Sequence, residues 1–399
     1  VIVLSLLLGL AAAVLLLPTT SDLISLGRVL LGHAGRRPRL SSVGHPRLLF
    51  LVPAHNEQLL IEACVRSLTG LRYPPARYSV VVIADNCADR TAALARTAGA
   101  RCLERHDAAH PGKPRAIAWA LEQLPVREYD AVVIVDADTM VDVEFAAELA
   151  KAGPLAERAV QGFFDLSNPT ESAITRMAGV LATATHRFAY RLKQRSGINV
   201  PLVGNGMAIG TQVLARHGWQ AFSICEDWEM YALLTERGVP IVGAPSARLY
   251  AQEAQSLGQS SSQRERWTAG RLTVLARIGP RLLGSGDVTL RQKLDSAAEL
   301  TAPGPALHLG ITLLLAALAL SSGVPGAPML AWALGASLIR PVGYTIAALV
   351  VQPDPWRTII AFAFLPLYTA WRIGAAVRAL RMVGDKPWIR TQRHKHRDA

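Results

Sequence analysis

The run Ala131-Val132-Val133-Ile134-Val135 is followed at once by Asp136-Ala137-Asp138. Four consecutive β-branched residues predict a strand covered on both faces, as in the interior of a parallel sheet flanked by helices. The rest of the chain must then supply both covering layers. Open α/β sheets gather their ligands at the carboxyl ends of strands, where two carboxylates at i and i+2 leave this one. If the chain stays extended there, both side chains point to one side. Two hard oxygen ligands so placed suit Mg²⁺ or Mn²⁺ carrying a diphosphate. Taken alone, the pair could equally be a solvated strand end capping the next helix.

The surrounding sequence supplies the layers. Residues 45–255 alternate strand and helix patterns. Arg47–Val52 and Tyr78–Ala84 read as strands, ending at Pro53 and Asp85. Ile61, Cys64, Val65 and Leu68 mark the apolar stripe of one helix, and Ile117, Ala120, Leu121 and Leu124 that of another. Asp89 can cap a helix over Arg90–Ala98 that Gly99 stops, and Pro114 suits a first helical turn. Such alternation predicts an α/β domain with a mostly parallel sheet.

The chain has 399 residues, 51% of them hydrophobic, with the excess at both ends. Val1 to Ser21 carries no charge, and its length fits a bilayer span. With no small-residue cleavage site after Leu17, a retained anchor over 1–32 is expected rather than a cleaved signal. Arg28, Arg36, Arg37 and Arg39 then place the following domain on the cytoplasmic side. Leu272, Leu275, Ile278, Leu282 and Leu283, among Arg271, Arg277 and Arg281, predict amphipathic interfacial helices over 271–300. Apolar stretches near 305–322, 326–351 and 356–375 predict a membrane region over 301–377, before a basic tail over 378–399. Three crossings after the α/β domain would put that tail outside, against the charge rule, so one stretch should be interfacial or re-entrant. Arg340-Pro341 makes the second the suspect, with Arg340 either contacting a lipid phosphate or glycan, or snorkelling from a kink. The net charge of +12 fits anionic lipid and an anionic donor. Nucleic acid is set aside, because no basic stripe interleaves with aromatics. The four cysteines, Cys64, Cys87, Cys102 and Cys225, lack metal or disulfide spacing and read as thiols.

In order along the chain stand Pro53-Ala54-His55-Asn56-Glu57, Ala84-Asp85-Asn86, Gly112-Lys113, Asp136-Ala137-Asp138, Gly204-Asn205-Gly206, Glu226-Asp227 and Gln263-Arg264-Glu265-Arg266-Trp267. Together they resemble the membrane-bound family 2 glycosyltransferases, the group of cellulose, chitin and hyaluronan synthases and related lipid glycosyltransferases. The resemblance covers about 47–271 and implies the GT-A (Rossmann-like) nucleotide-sugar-binding fold over 45–270, with transmembrane helices on either side. It implies that Asp85 binds the uridine, that Ala54, His55 and Glu57 border the base, and that Lys113 lies near the nucleotide. Asp136 would contact the nucleoside side of the donor and Asp138 would ligate the metal. Asp227 would be the general base. Gln263, Arg266 and Trp267 match the Q-x-x-R-W motif at the diphosphate and acceptor entrance, with Arg264 beside it. Gly204, Asn205, Glu226 and Trp267 would face donor sugar and acceptor. The expected activity is inverting transfer from a UDP-sugar, UDP-GlcNAc or UDP-glucose first, to a growing glycan at the cytoplasmic face of the cell membrane. Single transfer to a lipid acceptor is the alternative.

The chemistry calls for these residue types independently. Sugar transfer needs a leaving diphosphate neutralised, by a divalent ion and Arg264 or Arg266, and a carboxylate to take the acceptor's proton. Each residue also has a plainer reading. Glu226-Asp227 could be solvated charge on a helix buried through Trp228, Tyr231 and Leu234. Arg264, Glu265 and Arg266 could be a surface ion-pair patch, and Trp267 an interfacial anchor. Asn205 could sit in a turn, and His55 could be a core histidine. A non-catalytic membrane scaffold and a secreted hydrolase with paired carboxylates are the competing functions. Two departures stand out: Ala84-Asp85 offers one carboxylate where many relatives carry two, and Tyr250–Ala254 has Ala where relatives often have Pro.

Overall fold

The computed structural model of the chain describes residues 1–33 and 44–384. Arg36, Arg37 and Arg39, and the tail beyond 384, lie outside the described residues. The described chain forms two compact units, one from 44–168 and 199–253, the other from 1–33, 169–198 and 254–384. The segment 169–198 joins the helical unit although nothing in its local pattern separates it from its neighbours.

The first unit is an α/β domain on one eight-stranded sheet. Its strands are β1 (Leu48–Ala54), β2 (Tyr78–Asp85), β3 (Arg101–Arg105), β4 (Ala131–Ile134), β5 (Thr139–Val141), β6 (Ala159–Leu166), β7 (Met207–Gly210) and β8 (Ile241–Ala251). Their order is β3-β2-β1-β4-β7-β6-β8-β5. The run β3-β2-β1-β4 is parallel, as the alternation predicts. Beyond it the sheet is mixed, because β7 runs antiparallel to both β4 and β6, and β5 antiparallel to β8. Both β5 and β7 are too short to carry a period of their own.

Alternation through the pleat explains the continuous apolar runs. Leu48, Phe50 and Val52 enter the core on one face of the sheet, with Val80, Val82, Ala131, Val133 and Val135. Leu49 and Leu51 enter the core on the other, with Val81, Ile83 and Val132. The helix Ile61–Thr69 covers the first face through Ile61, Cys64, Val65 and Leu68. The helix Lys113–Gln123 covers the second through Ala116 and Ala120. Each fully buried side chain of this size stabilises the fold by about 1.5–3 kcal/mol, so the two central strands hold the sheet. The register Ala54↔Ala84 and Leu51↔Ile134 sets the carboxyl ends of β1, β2 and β4 side by side.

The second unit is helical. Three of its helices, Ile2–Leu30, Ala327–Val350 and Pro355–Leu380, are long and apolar enough to cross a bilayer. Leu290–Thr301 and Pro305–Ser321 meet at an 84° bend and would count as a fourth only if taken as one broken span. The interfacial helices expected over 271–300 are in fact a long helix, Leu257–Gly284, that begins before the Q-x-x-R-W residues, and the separate Leu290–Thr301.

Arg340 does what neither sequence reading offered. Its Nε donates to Asp22 Oδ2 at 2.8 Å and a terminal nitrogen to Glu299 Oε1 at 2.5 Å. Lys193 Nζ lies 3.1 Å from Glu299 and also pairs with Asp295, whose Oδ1 accepts from Ser21 at 2.8 Å. Four segments far apart in sequence thus share one buried ionic network. The polar ties continue along the same helices, with Thr19 donating to the Ser337 carbonyl and His308 Nε2 bonded to Ser337 Oγ.

Candidate active site

The site in the sheet unit is built where chain segments leave the carboxyl edge. After β4 the backbone does not stay extended, as the i, i+2 reading assumed. Ala137 and Asp138 form a turn closed by the Thr139 N–H donating to the Asp136 carbonyl at 3.1 Å. Both carboxylates remain partly exposed at this turn. Because β7 is antiparallel to β4, its entry, Gly204-Asn205-Gly206, arrives at the same edge, and the Gly206 N–H donates to the Ile134 carbonyl at 2.8 Å. Asn205 is buried and no plain turn residue. Its Oδ1 accepts from the Asp136 N–H at 3.2 Å and its Nδ2 donates to Thr139 Oγ1 at 2.7 Å, so it braces both ends of the Asp-Ala-Asp turn.

Lys113 is the hub. It opens the helix Lys113–Gln123, where the helix dipole disfavours a cation, and its ammonium is held by acceptors instead. It donates to Asp136 Oδ1 at 2.7 Å and to the Gly204 carbonyl at 3.0 Å, and lies 3.0 Å from Glu226 Oε1. Burial alone would lower its pKa, but Asp136 and Glu226 outweigh that and hold it above the ordinary lysine value. Lys113 stays charged.

Glu226 and Asp227 begin the helix Glu226–Glu236, with Met230, Tyr231 and Leu234 on its buried side. A Cβ on Gly204 would lie 3.2 Å from Asp227 Oδ2 and 3.5 Å from Lys113 Nζ, so a side chain here would press on the carboxylate. Gly204 also has φ +81°. Burial raises the Asp227 carboxyl, and the Glu226 carboxylate adds to the rise. The Trp228 N–H, the Lys113 ammonium and the Cys225 thiol pull it back, leaving it pushed up from 3.8 to about 7. A carboxyl near neutrality fits proton exchange at physiological pH.

Asp85, at the end of β2, is buried and its carboxylate is engaged. Arg105 donates to Oδ1 at 2.6 Å, Asn86 Nδ2 to the same oxygen at 3.0 Å, and the Gly112 N–H to Oδ2 at 3.0 Å. Arg105 reaches on to Asp107 at 2.7 Å and to the His110 carbonyl at 2.9 Å, closing the loop that leads into Lys113. The loop after β1 is tied to the loop after β2. His55 Nδ1 donates to the Asp85 carbonyl at 2.7 Å, the Glu57 N–H to Thr91 Oγ1 at 2.8 Å, and the Ala88 N–H to Asn56 Oδ1 at 2.8 Å. Ala54 is the buried last residue of β1. Asn56 and Asn86 both hold positive φ, +55° and +50°, a sparsely populated conformation that gathers at functional turns.

Sequence reasoning missed Arg105, which clamps Asp85, and Gln161, whose amide donates to the Asn205 carbonyl at 2.8 Å and accepts from the Val203 N–H at 2.9 Å. A glutamine inside the apolar strand β6, next to Gly162, was the available signal. Gln263, Arg264, Arg266 and Trp267 belong to the helical unit, on the helix Leu257–Gly284, with the Arg264 guanidinium 4.7 Å above the Trp267 ring. Among the described residues no three His, Cys, Asp or Glu side chains form a group able to hold a metal ion. The four cysteines are thiols.

The chain is 23% identical over 243 residues to a probable glycosyltransferase, YdaM, of Bacillus subtilis, covering 58% of this chain and 57% of that protein. It is 28% identical over 198 residues to the beta-monoglucosyldiacylglycerol synthase of Synechocystis, covering 48% of this chain and 40% of that one. It is 22% identical over 267 residues to the glucomannan 4-beta-mannosyltransferase 7 of Arabidopsis thaliana, covering 63% and 47%. The chain thus spans about half the length of the curated relatives it matches. Among solved structures it is similar to the mannosyltransferase PcManGT from Pyrobaculum calidifontis in complex with GDP-Man and Mn2+. The TM-score is 0.52, with 19% identity, covering 92% of this chain and 99% of that one, a likeness of fold that agrees with GT-A. The model of the family described as glycosyltransferase like family 2 matches residues 45–270, over half of the chain, and the protein belongs to that family.

Proposed function

We propose that this chain is an inverting glycosyltransferase that moves a sugar from a nucleoside-diphosphate donor, a UDP-sugar first, to a growing glycan at the cytoplasmic face of the membrane. The observation that carries the reading is the Lys113 ammonium, which joins Asp136 at the Asp-Ala-Asp turn to Glu226 beside Asp227. Donor-side and acceptor-side carboxylates are thereby held in one site.

In this reading the Asp227 carboxylate takes the proton of the acceptor hydroxyl. The freed oxygen forms a bond to the anomeric carbon, and the bond to the diphosphate breaks with its electron pair leaving on phosphate oxygen. Attack opposite the leaving group turns an α-linked donor into a β-linked product. Lys113 positions the carboxylates, Asn205 braces the turn, and Asp136 faces the nucleoside side. Asp85, clamped by Arg105, holds the nucleotide-side loops together with His55, Glu57 and Ala54. Gln263, Arg266 and Trp267 serve diphosphate and acceptor, as the motif implies. Asp138 fits a hard cation of the Mg²⁺ or Mn²⁺ kind. It offers one carboxylate beside the Thr139 hydroxyl, and such ions are held by one or two carboxylates plus substrate phosphates. When bound, the ion neutralises charge on the departing diphosphate.

Membrane attachment rests on the three long apolar helices. Here the bent pair, and not the stretch around Arg340 that the sequence made the suspect, is taken as re-entrant; one crossing then precedes residue 44 and two follow residue 321, which returns Arg378 and Arg381 to the side on which the first crossing emerges, as the charge rule requires. A second reading, single transfer to a lipid acceptor, is favoured by the resemblance to a diacylglycerol glucoside synthase.

The test is to give the full chain in detergent UDP-GlcNAc, UDP-glucose and GDP-mannose with Mg²⁺ or Mn²⁺, to follow release of the nucleoside diphosphate, and to size the product. A polymer supports the leading reading, and a single-sugar glycolipid replaces it with the second. No release from any of the three donors overturns both.

A further inference from the structure

The first helix, Ile2–Leu30, packs on Leu290–Thr301 and on Tyr190–Ser196 within the helical unit. Ser21 Oγ on the first helix donates to Asp295 Oδ1 on the second at 2.8 Å. Arg28 lies about two turns beyond Ser21, and Arg291 about one turn before Asp295. The two guanidiniums are thereby gathered at one end of the contact, close enough to repel each other. One terminal nitrogen of Arg291 donates to the Gly197 carbonyl at 3.2 Å, which fixes the side chain there.

Among the described residues neither arginine is balanced. Arg28 Nε and Arg291 Nη1 are buried and without a hydrogen-bond partner, and neither side chain has an ion pair. The carboxylate that acts on Arg291 is Asp295. Its Oδ1 is taken by Lys193 and Ser21, and its Oδ2 accepts from neither arginine. Arg291 also stands in the first turn of its helix, where the dipole disfavours a cation and favours an anion. The segment 34–43 adds Arg36, Arg37 and Arg39 to the sequence and no carboxylate. Buried N–H groups of charged side chains are costly to leave unpaired, so both call for an acceptor from outside the chain.

The surroundings narrow the acceptor. Arg28 lies in the last turn of a helix long and apolar enough to cross a bilayer, a place suited to headgroup depth. Leu31 and Leu290, beside the pair, are 76% and 82% exposed, an apolar flank that acyl chains would cover. The planar guanidinium fork matches phosphate oxygens. We propose that Arg28 and Arg291 together bind the phosphate of a lipid headgroup, with Leu31 and Leu290 against its acyl chains. All four residues lie outside the family match at 45–270, and none takes part in the proposed transfer.

Native mass spectrometry of the full chain in detergent tests the site without any sugar donor. The probes are phosphatidic acid and diacylglycerol with the same acyl chains, which differ only by the phosphate. The unmodified protein should retain phosphatidic acid at least about tenfold better. Arg28→Gln combined with Arg291→Gln should remove most of that preference. Arg28→Lys combined with Arg291→Lys should keep part of it, since point charges replace the forks. Arg357→Gln is the control, because it removes an exposed cation paired with Asp354 at 3.5 Å on another helix, and it should leave the preference unchanged. Equal retention of the two lipids by the unmodified protein overturns the proposal, and this arm decides even if the double variant does not fold. An unchanged preference in the double glutamine variant overturns it as well, as does an equal loss in Arg357→Gln. Displacement of phosphatidic acid by millimolar inorganic phosphate would give the site to the free ion and overturn the lipid assignment.

Discussion

In the proposed transfer, Asp227 would act as a base only above neutrality. Its carboxyl is pushed up to about 7 first by burial and then by Glu226, and a general base must be ionised to accept a proton. The sign follows directly. As pH falls through about 7 the carboxyl is protonated, and kcat/KM should fall about tenfold per pH unit below that point. Glu226→Gln removes the neighbouring negative charge, lowers the Asp227 pKa and should move this acid limb to lower pH. A limb that stays in place in the Glu226→Gln enzyme would show that Asp227 is not the group titrating. Asp227→Asn should lose about 10²–10⁴-fold in transfer rate while donor binding, read by calorimetry, is kept. Transfer within tenfold of the unmodified enzyme would remove Asp227 from the base role.

At the scale of the element, the entry to β7 shows how closely sheet and site are matched. A Cβ on Gly206 would fall 2.0 Å from Leu249 Cδ2, on a residue with φ +68°. Leu249 is fully buried in the core of β8 and has little room to give. Gly206→Ala should therefore lose about 1–3 kcal/mol from overpacking, beyond the ~1–2 kcal/mol cost of a left-handed conformation. Gly326→Ala is the control, because Gly326 is left-handed, with φ +76° and ψ +14°, but has no atom within 4 Å of a Cβ. Thermal unfolding should show a larger loss for Gly206→Ala, and equal losses would discount the Leu249 contact. This entry also marks where reading by pattern stopped. Strands β1, β2 and β4 are legible because both faces are buried and the residues are apolar throughout. Asp136, Asp138, Lys113 and the Glu226-Asp227 pair are legible as chemistry, since each has a motif around it. The four residues of β7 carry no pattern, so neither its antiparallel direction nor Asn205's bracing of the Asp-Ala-Asp turn was foreseeable. Arg105 was invisible for a different reason, being a charged residue at a strand end whose partner lies one strand away.

For the molecule as a whole, the helical unit is tied together by a buried ionic network that no segment carries alone. Asp22 comes from the first helix, Lys193 from the excursion 169–198, Asp295 and Glu299 from the helix before the bend, and Arg340 from a later apolar helix. Taken one at a time these residues look like faults in apolar or amphipathic sequence, as Arg340-Pro341 does in the middle of its stretch. Together they form three carboxylates around two cations, and each segment's charge is tolerable only when the others are in place. Removing one partner should thus cost more than the interaction itself contributes, because the remaining charges stay buried. Arg340→Met is expected to lose about 3–5 kcal/mol and to lower the melting temperature of the detergent-solubilised chain. The same substitution in an Asp22→Asn background should cost less, since one of the carboxylates left behind is then neutral. The difference between the two costs measures the coupling between Asp22 and Arg340. If Arg340→Met melts with the unmodified protein, or if its cost is the same in both backgrounds, the network does not hold the helices together, and Arg340 would have to be explained by a partner outside the chain.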